Sequence, residues 1–440
     1  MTAAFSEDPP FSAAPPIDAA EFARLRVRAI FDCCKWDPQV EDTSVLAPFP
    51  LVLTESAWRE LSRLAESLSR EALAAERELL SLLPLHSTLA IPRRIRRVLR
   101  HSAQSGPSPG AARVIRFDFH YTTEGWRISE ANTDVPGGFN EASGFTRLLA
   151  THYGGLATPA DPVESLADAI LATAGHAAVV ALVHATAYSD DRQVMTYLAR
   201  RWQERGLRTC LASPAHLRWH RGRAAVESSW YSGPVDFIFR FFPGEWLPNL
   251  PRACAWRHFF TGAVTPMSNP AYALLSQSKR FPLAWDKLKS QLPTWRALLP
   301  RTVDPREVLH LSLEDWVFKP AFGRVGDGVG IAGVTPQKEW NQILRAVRRR
   351  PSQWVAQRRF EPVPLRFNGG LLYPCVGIYT VDSRVAGAYC RLTPARITNQ
   401  YAREAAILIR PERPDPIQEP LDDRRRDLCM LGAAELPGVS

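Results

Sequence analysis

The chain has 440 residues, 45% hydrophobic and 22% charged, proportions that exclude a largely disordered, collagen-like or coiled-coil protein. Its net charge of +9 suits an anionic partner, whether nucleotide, nucleic acid or acidic substrate. The longest apolar run, AAVVALV from Ala177, is far short of the roughly 20 residues of a membrane span, and the acidic N-terminus has no apolar signal-peptide region, so the expected location is cytoplasmic.

Residues 1–16 are rich in Pro, Ala and Ser and read as a flexible arm, followed by a helical region over 17–110. Within it, Trp58, Leu61, Leu64, Ala65 and Leu68 recur at helical spacing across 54–83. IPRRIRRVLRH (91–101) is a second, strongly basic helix with Ile91, Ile95, Val98 and Leu99 turned inward. The SAQSGPSPGAA stretch (102–112) is a linker.

Beyond it, over 111–410, short β-like runs alternate with helices. ARVIRFDFHY, GWRISEAN, HAAVVALVHA and VDFIFRFF are strand candidates, and VMTYLARRWQERG is a helix closed by Gly206. From 315 the chain reads as a run of hairpins, and after 410 as a charged, proline-rich tail. The expected class is α+β with mixed and antiparallel sheets flanked by helices. The seven cysteines form no C-x-x-C pair, and His216 and His220 stand four apart without an acid beside them, so neither a zinc cluster nor a disulfide framework is expected.

VIRFDFHYTTEGWRISEAN concentrates the chemistry. Ile115, Phe117 and Phe119 alternate with Arg116, Asp118 and His120, and Glu124-Gly125 supplies a turn. A loop centred near residue 124 sets Asp118 opposite Glu130 and Arg116 opposite Asn132. Two carboxylates and an amide oxygen so close, with no sulfur or imidazole among them, favour Mg²⁺ shared with phosphates. The other reading is a salt-bridge ladder of Arg116 with Asp118 or Glu130.

VFKPAFGRVGDGVGI (317–331) places Lys319 at the end of an apolar strand before Gly323, Gly326, Gly328 and Gly330. Backbone N–H groups of glycines can close around phosphate oxygens that a strand-end lysine neutralises; the other reading is a plain Gly-rich hairpin loop. GVGIAG (328–333) fits a dinucleotide spacing, but no strand leads into it and no helix follows at once.

Together these segments resemble the synthetase domain of glutathionylspermidine synthase, in the ATP-grasp superfamily of carboxylate–amine ligases. The resemblance runs over about 110–410. Arg116-Phe117-Asp118 and Glu130-Ala131-Asn132 match the family's R-x-D and E-x-N strands, and Lys319 to Gly326 match its K-P-x-x-G-R-x-G loop. It implies an ATP-grasp-like fold with permuted motif order, a substrate lobe over about 111–270 and a nucleotide lobe over about 271–410. It further implies two Mg²⁺ ions on Asp118, Glu130 and Asn132, and Arg116 and Arg391 acting on an acyl phosphate. ATP would be held by Lys279 (with Lys287 as the other choice), Lys319, Gly323, Arg324, Gly326 and Gln357. Small-molecule or peptide carboxylates and amines are the implied substrates. The family's glutathione-binding serines stand here as Val135 and Gly137, and a glutamine of its nucleotide strand as Cys375, so the substrates need not be glutathione and spermidine.

Asp190, Asp191 and Glu245 are the candidates for holding a cationic amine. Two further readings compete. One is a phosphotransferase on the same scaffold. The other is a non-catalytic nucleic-acid-binding protein that uses the basic 91–101 helix and Arg348–Arg350; it leaves the acidic hairpin and the glycine loop without a purpose.

Overall fold

The computed structural model describes residues 9–41, 43–102, 110–323, 328–398 and 401–412. Its centre is an antiparallel sheet in the order Arg403–Ala405, Arg384–Thr393, Gly370–Val381, Val114–Thr122, Gly125–Asn132, with Leu365–Phe367 added alongside Gly370–Val381. Two hairpins from distant parts of the chain thus join edge to edge, and Val114–Thr122 is covered on both flanks. This sheet takes strands from both sides of residue 270, where the two lobes were expected to divide.

The first hairpin forms as its alternation dictates. Gly125 closes the turn at φ +87°, a conformation glycine adopts without the Cβ clash of other residues. Arg116 pairs with Asn132 and Asp118 with Glu130, the expected register. Beyond Asp118 the pairing shifts, so that Phe119 faces Ile128 and Ser129 is an extra residue on its strand. Phe117 and Phe119 enter the main core, where Phe117 meets Trp295 edge-on at a ring separation of 5.9 Å.

The helix Glu55–Ser81 is capped by Thr54, whose side chain accepts from Ala57 N at 3.2 Å. Leu61, Ala65, Leu68, Ala72, Ala75 and Leu79 form its buried stripe and lay it over the second hairpin. The basic helix spans Arg93–Ser102, with Ile91, Ile95 and Leu99 buried as expected.

A second sheet is parallel, in the order Met267–Ser268, Phe237–Phe241, Val179–His184, Arg208–Ala212. Burial on both faces explains its unbroken apolar runs. The third sheet, Thr302–Val303, Trp354–Arg358, Trp316–Pro320 and Gly330–Ile331, is antiparallel. Trp340, Ile343, Leu344 and Val347 of the helix Gln337–Arg349 close a small core of its own beneath it.

One expectation changes, and two spacings noted in the sequence turn out to involve strands. Part of the loose arm is ordered: Phe11–Ala13 pairs antiparallel with Leu51–Thr54, with Phe11 buried. Gly330–Ile331 is itself a strand paired with Trp316–Pro320, so the GVGIAG stretch is no dinucleotide turn. His220 lies in the strand Leu217–His220, which removes the helical relation to His216. Arg324, Gly326 and residues 413–440 of the tail lie outside the described residues. No helix among the described residues is long and apolar enough to cross a membrane.

Candidate active site

The central sheet and the third sheet enclose a cavity whose wall includes His120, Glu130, Lys279, Lys319, Gln357 and Arg391. These residues come from five separate segments, so only the tertiary fold assembles them.

Lys319 ends the strand Trp316–Pro320 and is buried. Its Nζ donates to Gln357 Oε1 at 2.7 Å and to Ser129 O at 3.0 Å. Ser129 is the extra residue of the hairpin, so the register shift has a consequence: it turns a backbone carbonyl toward the lysine. Burial lowers the Lys319 ammonium to about 8; nearby Glu130 opposes this and Lys279 adds to it. Gln357 Nε2 donates in turn to Thr302 Oγ1 at 3.2 Å, which orients the amide.

Lys279 follows the short helix Leu274–Gln277. Its Nζ pairs with Glu130 Oε2 at 2.9 Å and donates to Gly323 O at 2.9 Å. Its neighbours are anchored: Ser278 Oγ donates to Leu89 O at 2.7 Å, and Arg280 pairs with Asp304 at 2.8 Å. Gln277 Oε1 accepts from Thr133 N and Asp134 N at 2.7 and 2.9 Å, which ties the lysine segment to the end of the acidic hairpin. Lys287 is exposed and does not line the cavity, so Lys279 is the lysine placed at the site.

Asp118 is almost wholly buried and its oxygens are occupied. Arg116 donates from Nε to Oδ1 at 2.8 Å and from Nη2 to Oδ2 at 3.1 Å; Arg391 donates to Oδ2 at 2.8 Å, and Asn132 Nδ2 at 3.2 Å. Burial alone would raise the Asp118 carboxyl, but the Arg116 guanidinium, with that of Arg391, holds it well below the carboxylate range. For Glu130, burial is likewise outweighed, here by Lys279, and its pKa is lowered.

The salt-bridge reading of Arg116 with Asp118 is therefore realised, while Glu130 pairs with a lysine. Both carboxylates are ionised and share one patch with the Asn132 amide, the hard-oxygen donor set that suits Mg²⁺. Glu130 borders the cavity, whereas Asp118 lies behind Arg391. No group of three or more His, Cys, Asp or Glu fit for a metal occurs among the described residues.

Arg116 Nη1 also donates to Gly137 O at 2.8 Å, and its guanidinium lies 5.4 Å from the Tyr389 ring centre. Gly377 makes room for it: a Cβ there would stand 3.0 Å from Arg116 Cδ and 2.9 Å from Tyr389 Cε1. The far side of the cavity is apolar and aromatic, with Val317, Ile331, Phe360 and Tyr373, and Cys375, whose thiol burial pushes up to about 11, lines it beside Arg391. His120 sits against Phe360 at a ring separation of 5.3 Å; burial lowers it to about 4, with Asp118 opposing and Lys319 and Arg391 adding to the fall.

The amine-holding candidates are not brought here. Asp190 and Asp191 lie in the first turn of the helix Ser189–Glu204, where carboxylates complement the partial positive charge of the helix end, and Glu245 lies in the short helix Gly244–Asn249. None of the three borders the cavity. Conversely, His120, Gln277, Gly377 and Tyr389 escaped the sequence reading. His120 continues the polar alternation of Arg116 and Asp118, a signal that was present; Gly377 and Tyr389 required the pairing of two distant hairpins.

Residues 45–410 match the family described as glutathionylspermidine synthase preATP-grasp. Among solved structures, one described as "Putative gamma-glutamylcysteine synthetase from METHYLOBACILLUS FLAGELLATUS KT" aligns with 74% of this chain and 87% of its own, at 13% identity and a TM-score of 0.42. No curated protein matches. With that match spanning most of its length, the chain belongs to the glutathionylspermidine synthase preATP-grasp family, a family of carboxylate–amine ligases.

Proposed function

We propose that the protein is an ATP-dependent carboxylate–amine ligase of ATP-grasp type that forms an amide through an acyl phosphate. The observation that carries this reading is the convergence of Lys279 and Lys319 with Glu130 and Arg391 on one cavity. Two lysines, an arginine and the Glu130 carboxylate gathered on one cavity suit a nucleotide triphosphate with its counter-ions.

In this reading the base of ATP lies along Val317, Ile331 and Phe360, and Lys279, Lys319 and Gln357 hold the phosphates. Gly323 with Arg324 and Gly326 would form the covering loop that excludes water. Asp118, Glu130 and Asn132 would hold Mg²⁺, as two ions, which draw charge from the phosphates. The substrate carboxylate attacks the γ-phosphorus and ADP leaves. Arg116 and Arg391 stabilise the charge on the transferring group. An amine then displaces phosphate from the acyl carbon, losing a proton as the amide forms.

A screen of amines against short acidic peptides, read as amine-dependent ADP release and a water-loss adduct by mass spectrometry, tests the reading. ADP release that needs the acid but not the amine would instead indicate a phosphotransferase. Asp118→Ala and Glu130→Ala should abolish turnover in folded protein. Wild-type turnover in either would remove the metal assignment.

A further inference from the structure

The basic helix Arg93–Ser102 has no part in the reaction above. It carries Arg93, Arg94, Arg96, Arg97 and Arg100 and no acidic residue. Burial of Ile95 and Leu99 sets Arg93, Arg96, Arg97 and Arg100, at spacings of three, four and seven, on the outward face. Like charges so spaced repel one another and weaken the helix. None of the four is in an ion pair among the described residues, and the stretch that follows, AQSGPSPG, holds no acid.

These arginines do not lie on a flat surface. With Leu83 and His86 they line a groove of about 330 Å³ that has no acidic wall. His86 is buried and committed to the fold, its Nε2 2.7 Å from Leu79 O. Arg96 Nε is shielded from solvent and has no hydrogen-bond partner among the described residues. A donor left unpaired in that position is costly unless an acceptor arrives. The helix cannot insert into a lipid surface, because its apolar face is already in the core.

We propose that this groove is a second anion site, for a compact polyphosphate group. Arginine forks match phosphate oxygens in pairs. From Arg93 to Arg100 the helix advances about 10 Å, the reach of two or three linked phosphates rather than of an extended strand. The segment between His86 and Arg93 is also tied to the lysine segment of the cavity: Thr88 O accepts from Arg280 and Leu89 O from Ser278, the two neighbours of Lys279.

The test is calorimetric titration of the full chain with inorganic tripolyphosphate at low salt. The wild type is compared with a variant carrying Arg93→Gln, Arg97→Gln and Arg100→Gln, three exposed positions. The variant should bind one equivalent fewer per chain while its affinity for ATP is unchanged. Equal stoichiometry and affinity in the two proteins would overturn the proposal. So would a thymidine 12-mer that outcompetes tripolyphosphate at the groove with steep salt dependence, since that is the behaviour of a nucleic-acid surface. If the triple variant does not fold, Arg97→Glu alone is read in the same way.

Discussion

Arg391 reaches across the strand Gly370–Val381 to donate to Asp118 at 2.8 Å, and Gly377, which has no side chain, stands opposite Asp118 on that intervening strand. Together with Arg116 it takes up the carboxylate that the proposed chemistry assigns to a metal. In the proposed reading a cation reaches Asp118 only once Arg391 has moved, and a phosphate group is the natural competitor for that guanidinium. Anion and metal binding would thereby be linked.

The first prediction follows from that linkage. Mn²⁺ binding, followed by electron paramagnetic resonance, should be about tenfold or more tighter with ATP present than without it, within the range of ordinary coupling free energies. Arg391→Gln should raise the nucleotide-free affinity toward the ATP-bound value. Identical nucleotide-free binding in wild type and variant would show that the arginine does not guard the carboxylate.

Gly377→Ala should disturb the site through packing. Its Cβ would stand 2.9 Å from Tyr389 Cε1 and 3.0 Å from Arg116 Cδ, so the ring or the arginine must shift. A cost of about 1–3 kcal/mol in denaturant unfolding is expected for such overpacking. Amine-dependent ADP release should fall much further than stability does, because either shift disturbs Arg116, directly or through the Tyr389 ring it lies over.

Lys319 gives a pH signature. Its folded pKa of about 8 is below the ordinary lysine value, so between pH 8 and about 10.5 the unfolded chain binds more protons than the folded one. Its contribution to stability is therefore present above pH 10.5 and lost as pH falls through 8. Phosphate binding has the opposite trend, since it uses the charged form. ATP affinity should decline as pH rises through 8, and Lys319→Arg should flatten that decline. A pH-independent affinity in the wild type would count against Lys319 as a phosphate ligand.

Asp134 and Arg240 form an ion pair with no exposed side-chain surface, and Asp134 also accepts from Gly244 N at 2.8 Å. Asp134→Ala leaves a buried guanidinium uncompensated, at a cost of about 3–5 kcal/mol. Chemical denaturation should show this loss. A variant within 1 kcal/mol of wild type, on the same scale, would mean that the arginine finds another partner or reaches water.

The local order of the chain was legible in advance. The alternation of Arg116, Asp118 and His120 against Ile115, Phe117 and Phe119, with Glu124-Gly125 between the strands, specified a hairpin and its register, because a one-residue slip would turn the apolar set out of the core. The stripe from Leu61 to Leu79 specified a long helix in the same way. Lys319 at a strand end before glycines was legible as a candidate, and the structure sets it in the cavity wall.

What the residues could not convey by themselves is which distant segments meet. Sequence spacing carries no record of the pairing of Val114–Thr122 with Gly370–Val381, and that pairing brings Arg391 to Asp118 and Gly377 beneath Arg116. Nor could spacing decide whether Asp190 or Glu245 faces the cavity. The composition and periodicity of this chain determined its helices, strands and first hairpin, because those depend on burying one face of a local element. The packing of the sheets against one another decided the rest: an ionisable group acquires its charge state and its partners only from the neighbours that burial forces upon it.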